Sequence, residues 1–79
     1  LNDKNQQETV GYKSLEDLPE GITNNLPLRA QEIYQITYNN ALALHENELE
    51  AKAIAHRVAW SAVKQTYERI NDAWRKKTP

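Results

Sequence analysis

From Ala51 to Ile70 the apolar residues stand at Ala51, Ile54, Ala55, Val58, Ala59, Ala62, Val63, Tyr67 and Ile70. Steps of three and four put them on one face of an α-helix. Four of the nine are alanine, so this face lets a second helix come close but fills little volume itself. A partner with larger side chains is therefore required. The chain has one candidate, with apolar positions Ala30, Ile33, Tyr34, Thr37, Tyr38, Ala41, Leu42 and Leu44 at the same helical spacing.

Between the two stretches, His45-Glu46-Asn47-Glu48 contains neither glycine nor proline. A single helix over 28–70 would be about 65 Å long at about 1.5 Å per residue. Such a rod has nothing to bury its apolar face against unless it dimerises. Asn47 with Glu50 supplies an N-cap and an acidic first turn, so the break is expected there. The first long helix is expected to start near Pro27, since proline suits a first turn where its missing N–H is not needed.

Residues 1–9 are polar and read as a flexible tail, 10–76 as the folded domain and 77–79 as a second tail. Residues 10–13 alone have strand character. Ser14 with Asp17 fits a capping box, Pro19 ends that turn, and 20–25 form a second short turn. After Ile70, Asn71 suits the left-handed conformation that ends helices. Trp74 is then expected to pack on the 10–12 segment, the two chain ends forming a tiny two-stranded sheet. Tyr12, Leu15, Leu18 and Trp74 would close one end of the domain. The expected fold is mainly α: a small single domain of two long helices with short N-terminal helical turns.

At 79 residues the core is thin, and with no cysteine there is neither a disulfide nor a thiolate metal site to reinforce it. Cysteine-free chains suit a reducing cytoplasm, the expected location. No apolar run approaches the roughly 20 residues of a membrane span. The chain opens on Leu1 rather than methionine, which fits a trimmed chain or a piece of a longer protein. Its net charge of −1 hides a split, with residues 1–50 at −6 and 51–79 at +5. Antiparallel helices would let those halves attract each other; the other use of such a split is to steer an anionic partner to one end.

Three blocks together resemble a known family: Tyr12-Lys13-Ser14-Leu15-Glu16-Asp17-Leu18-Pro19, Leu26-Pro27-Leu28-Arg29-Ala30-Gln31-Glu32-Ile33-Tyr34 and Ala59-Trp60-Ser61-Ala62-Val63-Lys64-Gln65-Thr66-Tyr67. Tyr38-Asn39-Asn40-Ala41 and Trp74 extend the match. The family is ChaB, small bacterial proteins described as cation transport regulators through association with a calcium/proton antiporter. Relatives occur in some viruses and in longer bacterial proteins with segments linked to nucleic-acid binding. The resemblance implies a compact helical domain with a small sheet, cyclin-box-like in arrangement, and no catalytic residue. Some relatives carry a longer charged insertion between the main helices; here the connection is only 44–50.

The residues offer little else of chemical character. His45-Glu46-Asn47-Glu48-Leu49 misses the zinc motif H-E-x-x-H by its last position, and only two histidines exist. Ser14 and Ser61 have no histidine base nearby, and Gly11 and Gly21 make no phosphate loop. Tyr34, Tyr38 and Tyr67 fall on apolar faces. No cofactor, metal or catalytic site is expected, and the chain reads as non-enzymatic. Lys52, His56, Trp60 and Lys64 form one row of the second helix, flanked by Arg57. Trp60 is read as the centre of the small core, with the lysines as its rim. The candidate contact residues are Lys52, His56, Arg57, Lys64, Arg75, Lys76 and Lys77. The first functional reading is regulation through contact with another protein, by family association a cation antiporter. The alternative is a nucleic-acid-binding module using the basic half. A nucleic-acid binder should gather Lys52, Arg57, Lys64 and 75–77 on one surface free of acids. A protein-contact module should have them neutralised or scattered.

Overall fold

The computed structural model describes residues 11–45 and 47–77, apart from the side chain of Glu48. The tail assigned to 1–9, residue 10 of the strand-like segment, Glu46, and residues 78–79 lie outside the described residues. A 3₁₀ turn at Leu15–Asp17 leads into a short helix α1 (Glu20–Thr23). The long helices α2 (Leu28–Ala43) and α3 (Glu48–Thr66) follow, then strands β1 (Tyr67–Ile70) and β2 (Ala73–Lys76).

Helix boundaries follow local chemistry. Pro19 and Pro27 stand immediately before α1 and α2, their extended backbones (ψ 150° and 160°) turning the chain into each helix. The Pro27 carbonyl accepts the Gln31 N–H at 2.9 Å. The Gln31 side chain in turn donates to the carbonyls of Thr23 and Leu26, fastening α2 to the end of α1. At the predicted break, the Asn47 side chain accepts the Glu50 N–H at 3.1 Å and opens α3. Ser14 caps differently from expectation: its hydroxyl donates to the Asp17 carboxylate at 3.3 Å, and no side chain bonds a backbone N–H there.

α2 and α3 pack against each other to form the core. Ala30, Tyr34, Tyr38 and Ala41 of α2 meet Ala55, Ala59 and Val63 of α3, and Leu18, Ile22, Leu26 and Tyr67 close the ends. The pattern is complementary, because the tyrosine rings occupy the depth that the alanines leave. Tyr34 is only 1% exposed, and with Val63 it is the largest fully buried side chain. Removing such a side chain from water is worth about 2–3 kcal/mol. The apolar stripes do not bury uniformly. Leu44, at the C-cap of α2, is 81% exposed, and Val58 lies at the edge of the α3 face and is 41% exposed.

The two-stranded sheet forms, but its strands differ from the expected pair. β1 and β2 are antiparallel neighbours in a hairpin, with Tyr67 opposite Lys76, Glu68 opposite Arg75, Arg69 opposite Trp74 and Ile70 opposite Ala73. The joining Asn71 and Asp72 have φ of 52° and 65°. Positive φ at both positions is what the two-residue type I′ turn requires, and it matches the twist of the strands. Helix α3 therefore ends at Thr66 rather than continuing to Ile70. Tyr12 cannot add a strand because its backbone is already satisfied: its N–H donates to Asn39 Oδ1 (2.9 Å), and its carbonyl accepts from Asn39 Nδ2 (2.8 Å) and Gln35 Nε2 (3.1 Å). Gly11, with φ 99°, is needed beside this clamp, since a Cβ there would run into the Asn39 carboxamide.

The described residues include the ion pairs Arg29–Glu32 (3.0 Å) and Arg69–Asp72 (3.6 Å). Each spans three residues, so neither joins the acidic half of the chain to the basic half.

Candidate functional site

Lys52, His56, Trp60 and Lys64 recur every fourth residue and so form one row along α3, beside the face that packs on α2. Trp60 is half-buried at the edge of the core rather than at its centre, and Tyr34 takes the central place. The reason is angular: Ala59 and Val63 point at α2, and Trp60 is the neighbour that flanks them. Its ring meets Tyr34 edge-on at 5.9 Å, His56 edge-on at 6.4 Å, and the tilted ring of Trp74 at 5.4 Å.

Beneath this row the Tyr34 hydroxyl lies 2.7 Å from His56 Nδ1. This contact is a hydrogen bond whose donor is set by the imidazole tautomer, the hydroxyl donating when the ring proton is on Nε2 and accepting when it is on Nδ1. Burial above all, with Tyr12 and Tyr38 nearby adding to it, pushes the Tyr34 hydroxyl up to about 12. Tyr38 is raised for the same reasons, burial first and Tyr12 second. Burial thus favours the protonated form of both phenols.

Trp60 and Lys64 form a ridge between two open grooves. One is lined by Gly21 and Asn25 at α1, and by Arg69, Asp72 and Trp74 of the hairpin. The other runs along α3 past His56, Arg57 and Ser61. Of the candidate residues, the structure thus brings His56, Arg57 and Lys64 together around Trp60. Lys52 is exposed one turn before His56 on the same row. The basic run 75–77 is divided by strand alternation. Arg75 shares a face with Glu68, whereas Lys76 shares the opposite face with Arg69, Trp74 and the buried Tyr67. Lys77 follows β2, its N–H donating to the Thr66 carbonyl at 2.8 Å.

Arg69 and Asp72 were not among the sequence candidates. Reading Asn71-Asp72 as a two-residue hairpin turn, rather than as a helix end, would have set Arg69 opposite Trp74. Among the described residues no group of three or more His, Asp or Glu is placed to hold a metal ion. His45 is exposed, in the turn after α2. No described helix is long and apolar enough to cross a membrane.

Comparison with known proteins bears on this arrangement. The family model ChaB matches residues 18–77. The chain is 36% identical over 74 residues to the Escherichia coli K12 protein named "Putative cation transport regulator ChaB", covering 85% of this chain and 97% of that one. The Shigella flexneri protein of the same name matches to the same extent. An NMR solution structure bearing that name superposes with a TM-score of 0.73 at 36% identity, covering 85% of this chain and 99% of the other.

Proposed function

The chain belongs to the ChaB family, and from that premise we propose that it is a non-enzymatic, cytoplasmic regulator of cation transport that acts by contact with another protein. The observation that carries this reading is the half-exposed Trp60–Trp74 pair, set between charges of both signs. Tryptophan and arginine at the centre of a concave surface are the residues that dominate binding energy at protein interfaces.

Arg57 and Lys64 beside Trp60 favour the second reading, nucleic acid, since cations flanking an aromatic ring are the composition of a single-strand platform. Two features weigh against it. Arg75 is turned to the far face of the hairpin opposite Glu68, and Asp72 lines the groove itself. Basic residues that are scattered and partly neutralised suit a protein partner better than a continuous phosphate backbone.

Everted membrane vesicles from host cells lacking the protein supply the test, with cation/proton exchange followed by a pH-sensitive dye. Purified protein added to the exposed cytoplasmic face should change the exchange rate saturably. An unchanged rate at all protein concentrations would refute the proposal. Nucleic-acid binding tighter than about 10⁻⁶ M at physiological salt would put the second reading first.

A further inference from the structure

Resting on the protein-contact reading, we propose that the strip formed by Arg57, Trp60 and Lys64 of α3, with Arg69 and Trp74 of the hairpin, receives an acidic amphipathic helix of the partner. Its signature would be two carboxylates seven residues apart with an apolar side chain midway between them.

The spacing follows from helix geometry. Arg57 and Lys64 are two turns apart, so they lie on nearly one line, about 10 Å apart along the axis. Trp60 stands between them on the neighbouring line. A helix lying along α3 has the same rise per residue, so its positions i and i+7 meet the two cations while i+3 or i+4 meets the indole. An extended segment repeats on one face at about 6.8 or 13.6 Å and matches this spacing less well.

Charge points the same way. Both Arg57 and Lys64 are exposed, and among the described residues neither has a carboxylate partner. Among the described residues Arg69 pairs with Asp72 alone, at 3.6 Å, with side chains 61% and 94% exposed. Exposed pairs of this kind hold weakly, so an incoming carboxylate can displace Asp72 at little cost. A phosphate backbone is a poorer occupant. The two indoles, 5.4 Å apart and inclined by 35°, leave no gap for a base between them.

The test is titration of the ¹⁵N-labelled full chain with a synthetic fourteen-residue helical peptide, its two glutamates seven apart and a leucine midway. A peptide with lysines replacing the glutamates and a twelve-residue oligothymidylate serve as comparisons. The acidic peptide should bind with a Kd below about 1 mM, with amide shifts confined to 56–64 and 69–76. The Arg57→Glu/Lys64→Glu double variant, both sites being exposed, should keep the parent spectrum and lose about tenfold or more in affinity. Arg75→Glu, on the far face of the hairpin, should bind within about twofold of the parent.

Three results would each overturn the inference: no shifts at millimolar peptide, binding unaffected by the double variant, or oligothymidylate binding as tightly through the same amides. The vesicle assay separates this failure from that of the broader reading. A saturable effect on exchange that survives in the double variant sinks the assignment of the strip and leaves protein contact standing. Peptide binding with no effect on exchange does the reverse.

Discussion

Raising the pH should unfold this domain through one phenol more than any other. Tyr34 is 1% exposed, and its hydroxyl is raised from 10.0 to about 12. Below pH 10 the group is protonated in both the folded and the unfolded chain, so the folded state keeps its full stability. Above pH 10 the unfolded chain ionises first and binds fewer protons, so stability falls as the pH rises toward 12 and the loss is complete beyond it. Two pH units correspond to about 2.7 kcal/mol in full, and to about 1.4 kcal/mol at pH 11. These are upper figures, because the oxygen faces the exposed His56 imidazole and water can screen the charge. Urea unfolding followed by tryptophan fluorescence from pH 8 to 11.5 would measure the slope. Tyr34→Phe costs about 1 kcal/mol at neutral pH through the lost hydrogen bond, but it should then lose stability more slowly above pH 10. Tyr38, raised in the same direction by burial and by Tyr12, adds a contribution of the same sign to parent and variant. If the two lose stability in parallel between pH 10 and 11.5, Tyr34 is not the buried acid described here.

Other substitutions probe the architecture by urea unfolding. Asn47→Ala should cost about 1 kcal/mol by removing the cap on the Glu50 N–H, and Asn47→Asp should stay near the parent. Trp60→Ala should cost about 1.5–3 kcal/mol, roughly half the loss of a core aromatic; a cost above 4 would put the ring back in the core, and none would leave it in solvent. Asp72→Gly should raise stability by about 0.4–1 kcal/mol, since φ at that position is 65° and glycine relieves it; a loss would mean that the Arg69 pair holds the hairpin.

What the chain declares about itself depends on how far each signal reaches. Asn47, Pro19 and Pro27 act on their immediate neighbours, so the helix starts could be placed from sequence to within a residue. The C-terminal hairpin was hidden because Tyr67 and Ile70 continue the helical spacing of α3, although in β1 they lie on opposite faces. They extend the helical stripe by steps of four and three from Val63, yet they belong to a strand that ends at Ile70, before the Asn71-Asp72 turn. Only tertiary packing decides between the two, through Tyr67 burying against the core and Trp74 reaching Trp60. The candidate site inherited that ambiguity. Lys52, His56 and Lys64 were legible as a helical row, whereas Arg69 joined them only once β1 existed. The placement of 75–77 was hidden for the same reason, because alternation in β2 sends Arg75 and Lys76 to opposite faces.

The alanine face has a consequence for the site as well as for the core. With Ala55 and Ala59 against α2, the helices approach closely and Tyr34 and Tyr38 fill the space between them, leaving no depth on that line for an indole. Trp60, one residue on from Ala59, is forced to the seam, half covered by Tyr34 and His56. A hairpin of two four-residue strands is marginal by itself, so β1 and β2 need an apolar surface to lie on. The displaced indole supplies part of it through Trp74. The same contact that holds the hairpin also carries Arg69 to the groove, so the basic and aromatic residues of the strip form one mechanical unit. A change that loosens Trp74 from Trp60 would scatter the charges without touching any of them.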